Sequence, residues 1–520
     1  MAKEKSPSFI HELQLILTPK EIKNLDKRLE VARQIYNACL GEALRRLTLM
    51  RESTIYAQAL KTPKQTKHRI ELFNQASKQY KFREYDLHSY VKILCKRTWL
   101  SKHIDSSTAQ AIATRAFKAA LKYALGKGGR PRFKGTHAIS SIEGKSNQAG
   151  IRWRDGRVEW SGLKLKAVFD LKDKHGVEAH ALACRTKFVR LIRRIKNGTS
   201  VWSIQLIQEG MPHIKPKNQM GNDIVGLDLG PSTIAVVAST KASLQAFCPK
   251  IDGYGKKIKM MQQKMQRSQR ATNQDNFEAT VYKKNKNGRT IKKLGKVKKG
   301  SKQWGRSKKY LIMRHKVANL QRKLAAARAS AHGELVNNIL RLGKTIKTEK
   351  LSYVSFQKSY GGSVQRRAPG LFLEKLRYKA ANAGGEVIEF STRATALSQT
   401  CQCGNKQKKQ LKDRWHNCSI CGIHAQRDLY SAYLARFVNE NRLDTTQALV
   451  AWAGADILLE QAVSSLNKTA IGGFCPASFG LGQSQSGLPV KKKSVQHKAL
   501  DGVACEQLQV RAKESVVLCS

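Results

Sequence analysis

The sequence predicts a multidomain α+β chain, in which a small β-barrel with an inserted helical lobe precedes an α/β domain interrupted by a cysteine-rich knuckle. Three observations lead there. The chain has 520 residues, too many for one ordinary core. Its texture changes from helical, Lys/Arg-rich sequence up to about residue 125 to short alternating strands up to residue 211. Two cysteine pairs then fall between a strand-like and a helix-like segment near residue 400.

Taken in order, FIHELQLILT (9 to 18) alternates as a strand, and Pro19 opens a helix with apolar spacing through Ile22, Leu25, Leu29, Ile35 and Leu40. GKGGRPRFKG (126 to 135) stops the helical run, because clustered Gly and Pro cannot continue a helix. The barrel is therefore assigned to 1–20 and 126–211, with hairpin turns at Asp155-Gly156 and Asn197-Gly198, and the helical lobe to 21–125. Trp153, Trp160 and Trp202 among its strands read as barrel core ahead of base-stacking platforms. A linker, 212–222, leads to an α/β domain over 223–398 and 424–440, with the cysteine insertion at 399–423. Within it, after a Lys-rich stretch, the long basic helix beginning at KYLIM reads either as a solvated face or as the wall of a nucleic-acid channel. Residues 441–520 are expected to be a tail, largely disordered beyond one helix, ALVAWAGADILLEQAV.

Charge narrows the function classes. Lys and Arg number 96 against 37 Asp and Glu, a formal net charge of +59. Solubility asks for a magnitude of only about 2 to 8 in a small domain, so this excess points to a polyanionic partner, nucleic acid. Apolar runs fall short of the ~20 residues that cross a bilayer. No membrane partner is expected, and the amino terminus lacks the pattern of a secretory signal, so a cytoplasmic, nucleoid-associated prokaryotic protein is expected.

Asp228 in VGLDLG is a lone charge inside an apolar strand, flanked by Gly226 and Gly230. Burying it needs a compensating cation, either a metal ion or a basic side chain. Glu349 lies in KTIKTEKLSYV, and Asp428 in the first turn of an amphipathic helix, where an acid also complements the helix dipole. A first-strand Asp, a later-strand Glu and a helical Asp is the RNase H-like order. Three such acids suit two Mg²⁺ ions about 4 Å apart.

Cys401, Cys403, Cys418 and Cys421 form two pairs around a polar loop. Four thiolates satisfy one structural, tetrahedral Zn²⁺ and replace a core that the loop is too small to build. The first pair is C-x-C, so either both sulfurs bind through a tight turn or His416 replaces one.

VGLDLG, TEKLS, the paired-cysteine insertion and QRDLYSA, together with RQIYNACL and GRPRFKG, follow one another in an order that resembles the TnpB family of transposon-associated RNA-guided nucleases, relatives of compact type V CRISPR effectors. The resemblance spans roughly residues 9 to 438. It implies a wedge-type barrel, a helical recognition lobe and a RuvC nuclease domain with a zinc-binding insertion. Asp228, Glu349 and Asp428 would be its catalytic, magnesium-binding acids. Lys347 and Thr348 make the second motif more polar than usual, leaving Glu386 and Glu389 as substitutes for Glu349; Gln426 and Tyr430 depart from the third motif. Arg427 would contact the scissile phosphate, unless it is merely a surface Arg at a helix start. The implied partners are a guide RNA from the transposon end and double-stranded target DNA. The alternatives are a nuclease-inactive RNA-guided repressor and a compact type V effector, with oligomeric state open.

Overall fold

The computed structural model describes residues 6–284, 288–300, 302–410, 413–470 and 479. β1 (Ser8–Ile16) turns Phe9, Leu13 and Leu15 inward and ends at Thr18, the cap of α1 (Pro19–Arg51). The Thr18 hydroxyl accepts from the Glu21 N–H, the Glu21 carboxylate accepts from the Thr18 N–H, and Pro19 occupies the first turn, where no amide donor is missed. α1 buries a stripe including Leu25, Leu29, Tyr36, Leu40 and Leu47, and packs on α5 (Ser106–Ala124). Between them lie α2 (Thr54–Lys61), α3 (Lys67–Gln79) and α4 (Glu84–Lys96).

The first sheet adds β2 (Ser141–Glu143), β3 (Arg152–Arg154), β4 (Arg157–Trp160), β5 (Leu163–Ala167), β6 (Thr186–Lys196) and β7 (Thr199–Glu209), with α6 (Val177–Ala183) before β6. Its order is β2-β6-β7-β1-β5-β4-β3. Asn197 and Gly198 both take positive φ, 52° and 88°, so the β6–β7 connection has the handedness that a two-residue hairpin needs. Trp160 and Trp202 are buried in the core, and Trp153 packs against it.

The expected barrel takes the form of a sheet with two edges. No ladder joins β2 to β3 among the described residues. One apolar cluster instead runs from this sheet into α1 and α5, so the helices bury the face that closure would have buried.

The second sheet contains β8 (Asp223–Leu229), β9 (Thr233–Val237) and β10 (Ala242–Ala246) in antiparallel succession. α7 (Asp252–Thr272), a ribbon of β11 (Val281–Lys284) and β12 (Thr290–Lys293), and α8 (Lys308–Leu340) intervene before β13 (Gly343–Glu349). α9 (Tyr353–Arg367) and α10 (Pro369–Asn382) lead to β14 (Glu386–Phe390). The order is β10-β9-β8-β13-β14, with β13 parallel to both neighbours. Every residue of β9 is buried because both faces are covered: Ile234 and Val236 join the cluster with α8 and α10, Ala235 and Val237 the cluster on the other side.

α11 (Thr392–Thr395), β15 (Trp415–Asn417), β16 (His424–Gln426) and α12 (Arg427–Ala435) follow, then β17 (Val438–Asn439) and β18 (Arg442–Leu443). The expectation of a tail from residue 441 needs correction. α13 (Thr445–Val450) and α14 (Trp452–Ala470) place Ala448, Ala455, Leu459 and Ala462 in the same cluster as α12. Their apolar residues recur at helical spacing and cover the face of the second sheet that α12, only nine residues long, leaves open. The rest of the expected tail, 471–520, lies outside the described residues except for Phe479, which is buried in that cluster. No helix among the described residues is long and apolar enough to cross a membrane.

Leu459 is 3% exposed, so Leu459→Ala is expected to cost ~2–5 kcal/mol, read as a lower denaturant midpoint. An unchanged midpoint would mean that α14 is not part of the core.

Candidate active site and metal centre

α12 lies directly on β8. A Cβ added at Gly226 would stand 1.8 Å from the Ala432 carbonyl oxygen, so only glycine admits the helix at that point. The contacts run antiparallel: the Arg436 Nε donates to the Ile224 carbonyl at 3.0 Å, and Ala432 covers Gly226. One helical turn earlier stands Asp428. Four helical residues advance about 6 Å and two strand residues about 6.7 Å, so this alignment carries Asp428 to the level of Asp228.

β13 supplies the third acid. Lys347 pairs with Gly226 and Thr348 with Leu227, and one further step of the same parallel register brings Glu349 beside Asp228. Lys347, unusual inside a strand, is 5% exposed. Its Nζ donates to the Val438 carbonyl and the Asn439 Oδ1, both at 2.8 Å, tying β13 to the turn after α12. The Thr348 hydroxyl donates to the Leu227 carbonyl at 3.2 Å, adding a second tie between the two strands.

The three carboxylates sense one another. Burial, then the charges of Asp428 and Glu349, push the Asp228 carboxyl well above the usual range, opposed by Arg427 and Arg414. Burial pushes Glu349 up to about 7, against the N–H of Leu397, which favours its anion. Two acids with raised proton affinity and a third tied to arginines make a pocket in which added positive charge is favourable. Of the two other glutamates considered, Glu389 is ion-paired with Arg377 at 2.6 Å and Glu386 is exposed. Neither bears on Asp228 as Glu349 does.

Arg427 is not a surface side chain. It is 9% exposed; its Nη2 and Nε donate to Asp428 Oδ1 at 3.2 and 3.3 Å, and its Nη1 to the Asp413 carbonyl at 2.7 Å. Two residues escaped the sequence reading. Arg414 reaches Asp428 Oδ2 at 3.7 Å, and the Tyr353 hydroxyl is buried without a hydrogen-bond partner among the described residues, its proton held by burial and by the charges of Glu389 and Asp228. Tyr353 follows Glu349 by one turn of chain, but nothing in its local pattern separates it from a core tyrosine. Arg414 sits in a polar loop whose path only folding decides.

The thiols of Cys401, Cys403, Cys418 and Cys421 all lie within 4.8 Å of one another. Cys401 and Cys421 are 3.4 Å apart, Cys403 and Cys418 3.6 Å. A tetrahedron with Zn–S near 2.3 Å has edges of about 3.8 Å, so the four sulfurs fit a zinc ion. Both sulfurs of the C-x-C pair take part, helped by Gly404 at φ 85°. His416 stands aside, its ring tilted against Tyr430 with centroids 4.4 Å apart and its Nδ1 at 2.5 Å from the Lys409 Nζ. Although burial acts upward, the N–H groups of Cys421 and Ile420 and the Asn405 amide pull the Cys418 thiol down to about 6. Among the described residues no other group of three ligand-type side chains is so tight, so the carboxylates stand further apart than the thiols.

The knuckle and the acids share α12. Tyr430 receives the Gln402 N–H at 3.0 Å and touches the Cys401 sulfur, while Arg427 and Arg414 join the loop to Asp428.

Residues 370–434 match the family model of the Cas12f1-like TNB domain. That span runs from α10 through the four cysteines to Asp428 and nearly to the end of α12. No curated protein matches the chain. Among solved structures, the chain is similar to a Cas12f1–sgRNA–target DNA complex, with 12% identity, TM-score 0.40, and coverage of 82% of this chain and 98% of that chain. It is also similar to a CRISPR-Cas12f ternary complex, with 15% identity, TM-score 0.26, and coverage of 79% and 81% respectively.

Two outcomes are expected. In chelator, an acid whose folded-state value is raised from 4.5 to about 7 costs stability when ionised, up to ~3 kcal/mol. That cost is absent below pH 4.5, grows between 4.5 and about 7, and is full above. Glu349→Gln should therefore raise the melting temperature at pH 8 and not at pH 4; equal shifts at both would refute the burial of its charge. Elemental analysis should find one zinc per chain, and Cys421→Ser should lose it and lower the melting temperature together; His416→Ala should keep the zinc.

Proposed function

We propose that the chain is an RNA-guided DNA endonuclease that hydrolyses phosphodiesters at Asp228, Glu349 and Asp428. The observation that carries the reading is the delivery of three carboxylates by β8, β13 and α12 to one end of one sheet, beside the knuckle that the TNB match includes. The strand order, three antiparallel strands followed by two parallel ones, suits an RNase H-like nuclease domain. In this reading the segments 1–20 and 126–211 form the wedge, 21–125 the recognition lobe, and 223–398 with 424–440 the RuvC-like domain around the insertion at 399–423.

Bound magnesium, two ions, would activate a water and stabilise the leaving oxygen. The protein's own part is to hold the acids. Burial raises the proton affinity of Asp228 and Glu349, so cation binding would compete with protons there and be favoured as pH rises. Arg427 and Arg414 fix the orientation of Asp428. The +59 charge holds guide and target by their phosphates, while base pairing supplies sequence. The resemblance to TnpB favours a guide encoded at a transposon end. The Cas12f1-like match favours a second reading, a compact type V effector with the same chemistry.

The chain expressed with its flanking DNA is expected to co-purify with RNA and to cut a matched DNA target in Mg²⁺, and Asp228→Ala to retain the RNA while losing the cut. Absence of RNA refutes guidance. Undiminished cutting by Asp228→Ala refutes the site, and binding of RNA and target without cutting by the unaltered chain makes it a guided repressor.

A further inference from the structure

Between Glu278 and Glu334 the chain contains no Asp or Glu, while Lys and Arg recur throughout. The β11–β12 ribbon lies in this stretch and forms a two-stranded sheet of its own. An isolated ribbon is marginal in water, yet the base of this one is held firmly. The Arg270 Nη2 donates to the Gly295 carbonyl at 3.0 Å, and its guanidinium covers the Phe277 ring at 4.3 Å. Phe277 bridges to Val297 and meets Trp304 edge-on at 5.7 Å. Asn273 exchanges hydrogen bonds with Gly305. The ribbon is thus a clamped blade projecting from the junction of α7 and α8.

Every residue of both strands is exposed. Pairing sets Val281 opposite Lys293, Tyr282 opposite Lys292, Lys283 opposite Ile291 and Lys284 opposite Thr290. Partners in an antiparallel pair share a face, so Val281, Lys283, Ile291 and Lys293 form one face and Tyr282, Lys284, Thr290 and Lys292 the other. A ribbon built to lie on a protein would segregate its apolar residues to one face. This one carries two lysines and exposed apolar surface on each, with Val281 48%, Tyr282 64% and Ile291 51% exposed. None of the four lysines is ion-paired among the described residues. Such a blade suits a partner that surrounds it with anionic walls.

We propose that Val281–Lys284 and Thr290–Lys293 enter the major groove of B-form DNA, the lysines of each face meeting the phosphates of one wall and the apolar side chains meeting base edges. That groove admits a two-stranded ribbon, whereas the major groove of an A-form RNA helix is deep and too narrow for side chains to read. The partner is therefore duplex DNA. The inference rests on the nucleic-acid reading of the chain, but not on the guide or on the three acids.

The test uses the intact protein, with whatever RNA it carries, and a non-target DNA duplex beside an RNA duplex of the same sequence. Replacing Lys283, Lys284, Lys292 and Lys293 by Gln is expected to reduce the slope of log affinity against log salt by about 3 to 4 for DNA and to leave it unchanged for RNA. The fourfold Arg variant should keep the original slope. An unchanged DNA slope, or an equal fall for both duplexes, overturns the proposal. Should the Gln variant not fold, the unaltered protein decides: DNA bearing glucosylated cytosines, whose major groove is filled, must bind more weakly than plain DNA, and equal binding overturns the proposal. If the unaltered protein passes these measurements but does not cut a guide-matched target, the nuclease reading fails while this one stands.

Discussion

Gly226 lets the backbone of α12 rest on the backbone of β8, and the candidate active site depends on that seating. Any side chain there would push the helix off the strand, since its first carbon would stand 1.8 Å from the Ala432 carbonyl oxygen, well inside contact distance. With the helix down, Asp428 stands over the end of β8. With it raised, Arg436 loses the Ile224 carbonyl, and Arg427 carries Asp428 away with the knuckle. Lys347 reinforces the same seating from β13 by holding Val438 and Asn439 just beyond the helix.

The pocket is an electrostatic exception in its own molecule. A chain with a net charge of +59 gathers three acids where water is scarce, and the price is visible in the raised proton affinities of Asp228 and Glu349. Such strain persists where a ligand relieves it. The arginines nearest the acids belong to or adjoin the cysteine knuckle, so the four-cysteine cluster and the carboxylates are mechanically joined through α12.

Two expectations changed on folding, for related reasons. Strand periodicity over residues 136 to 211 implies a buried face but not what buries it; α1 and α5 do, and the sheet keeps its edges. The sequence after residue 440 reads as a tail, largely disordered beyond one helix, yet Ala448, Ala455, Leu459 and Ala462 of α13 and α14 pack into the cluster with α12, and α14 lies on β10. Arg427 shows the opposite error: a basic residue at a helix start reads as surface, whereas the carbonyls of the knuckle loop and Asp428 enclose it.

Local pattern was enough for the long helices, the Asn197-Gly198 hairpin and the four clustered cysteines, and to single out three carboxylates as candidates, because periodicity, turn chemistry and lone charges in apolar runs are written in neighbouring residues. What joins them was decided only in three dimensions. The parallel register of β13 on β8 sets Glu349, rather than Glu386 or Glu389, beside Asp228, and the turn at Gly404 brings both sulfurs of a C-x-C pair to one point. Arg414 and Tyr353 join the site through packing between distant elements. Such contacts are set by how faces fit, a property of surfaces that no single stretch of chain contains.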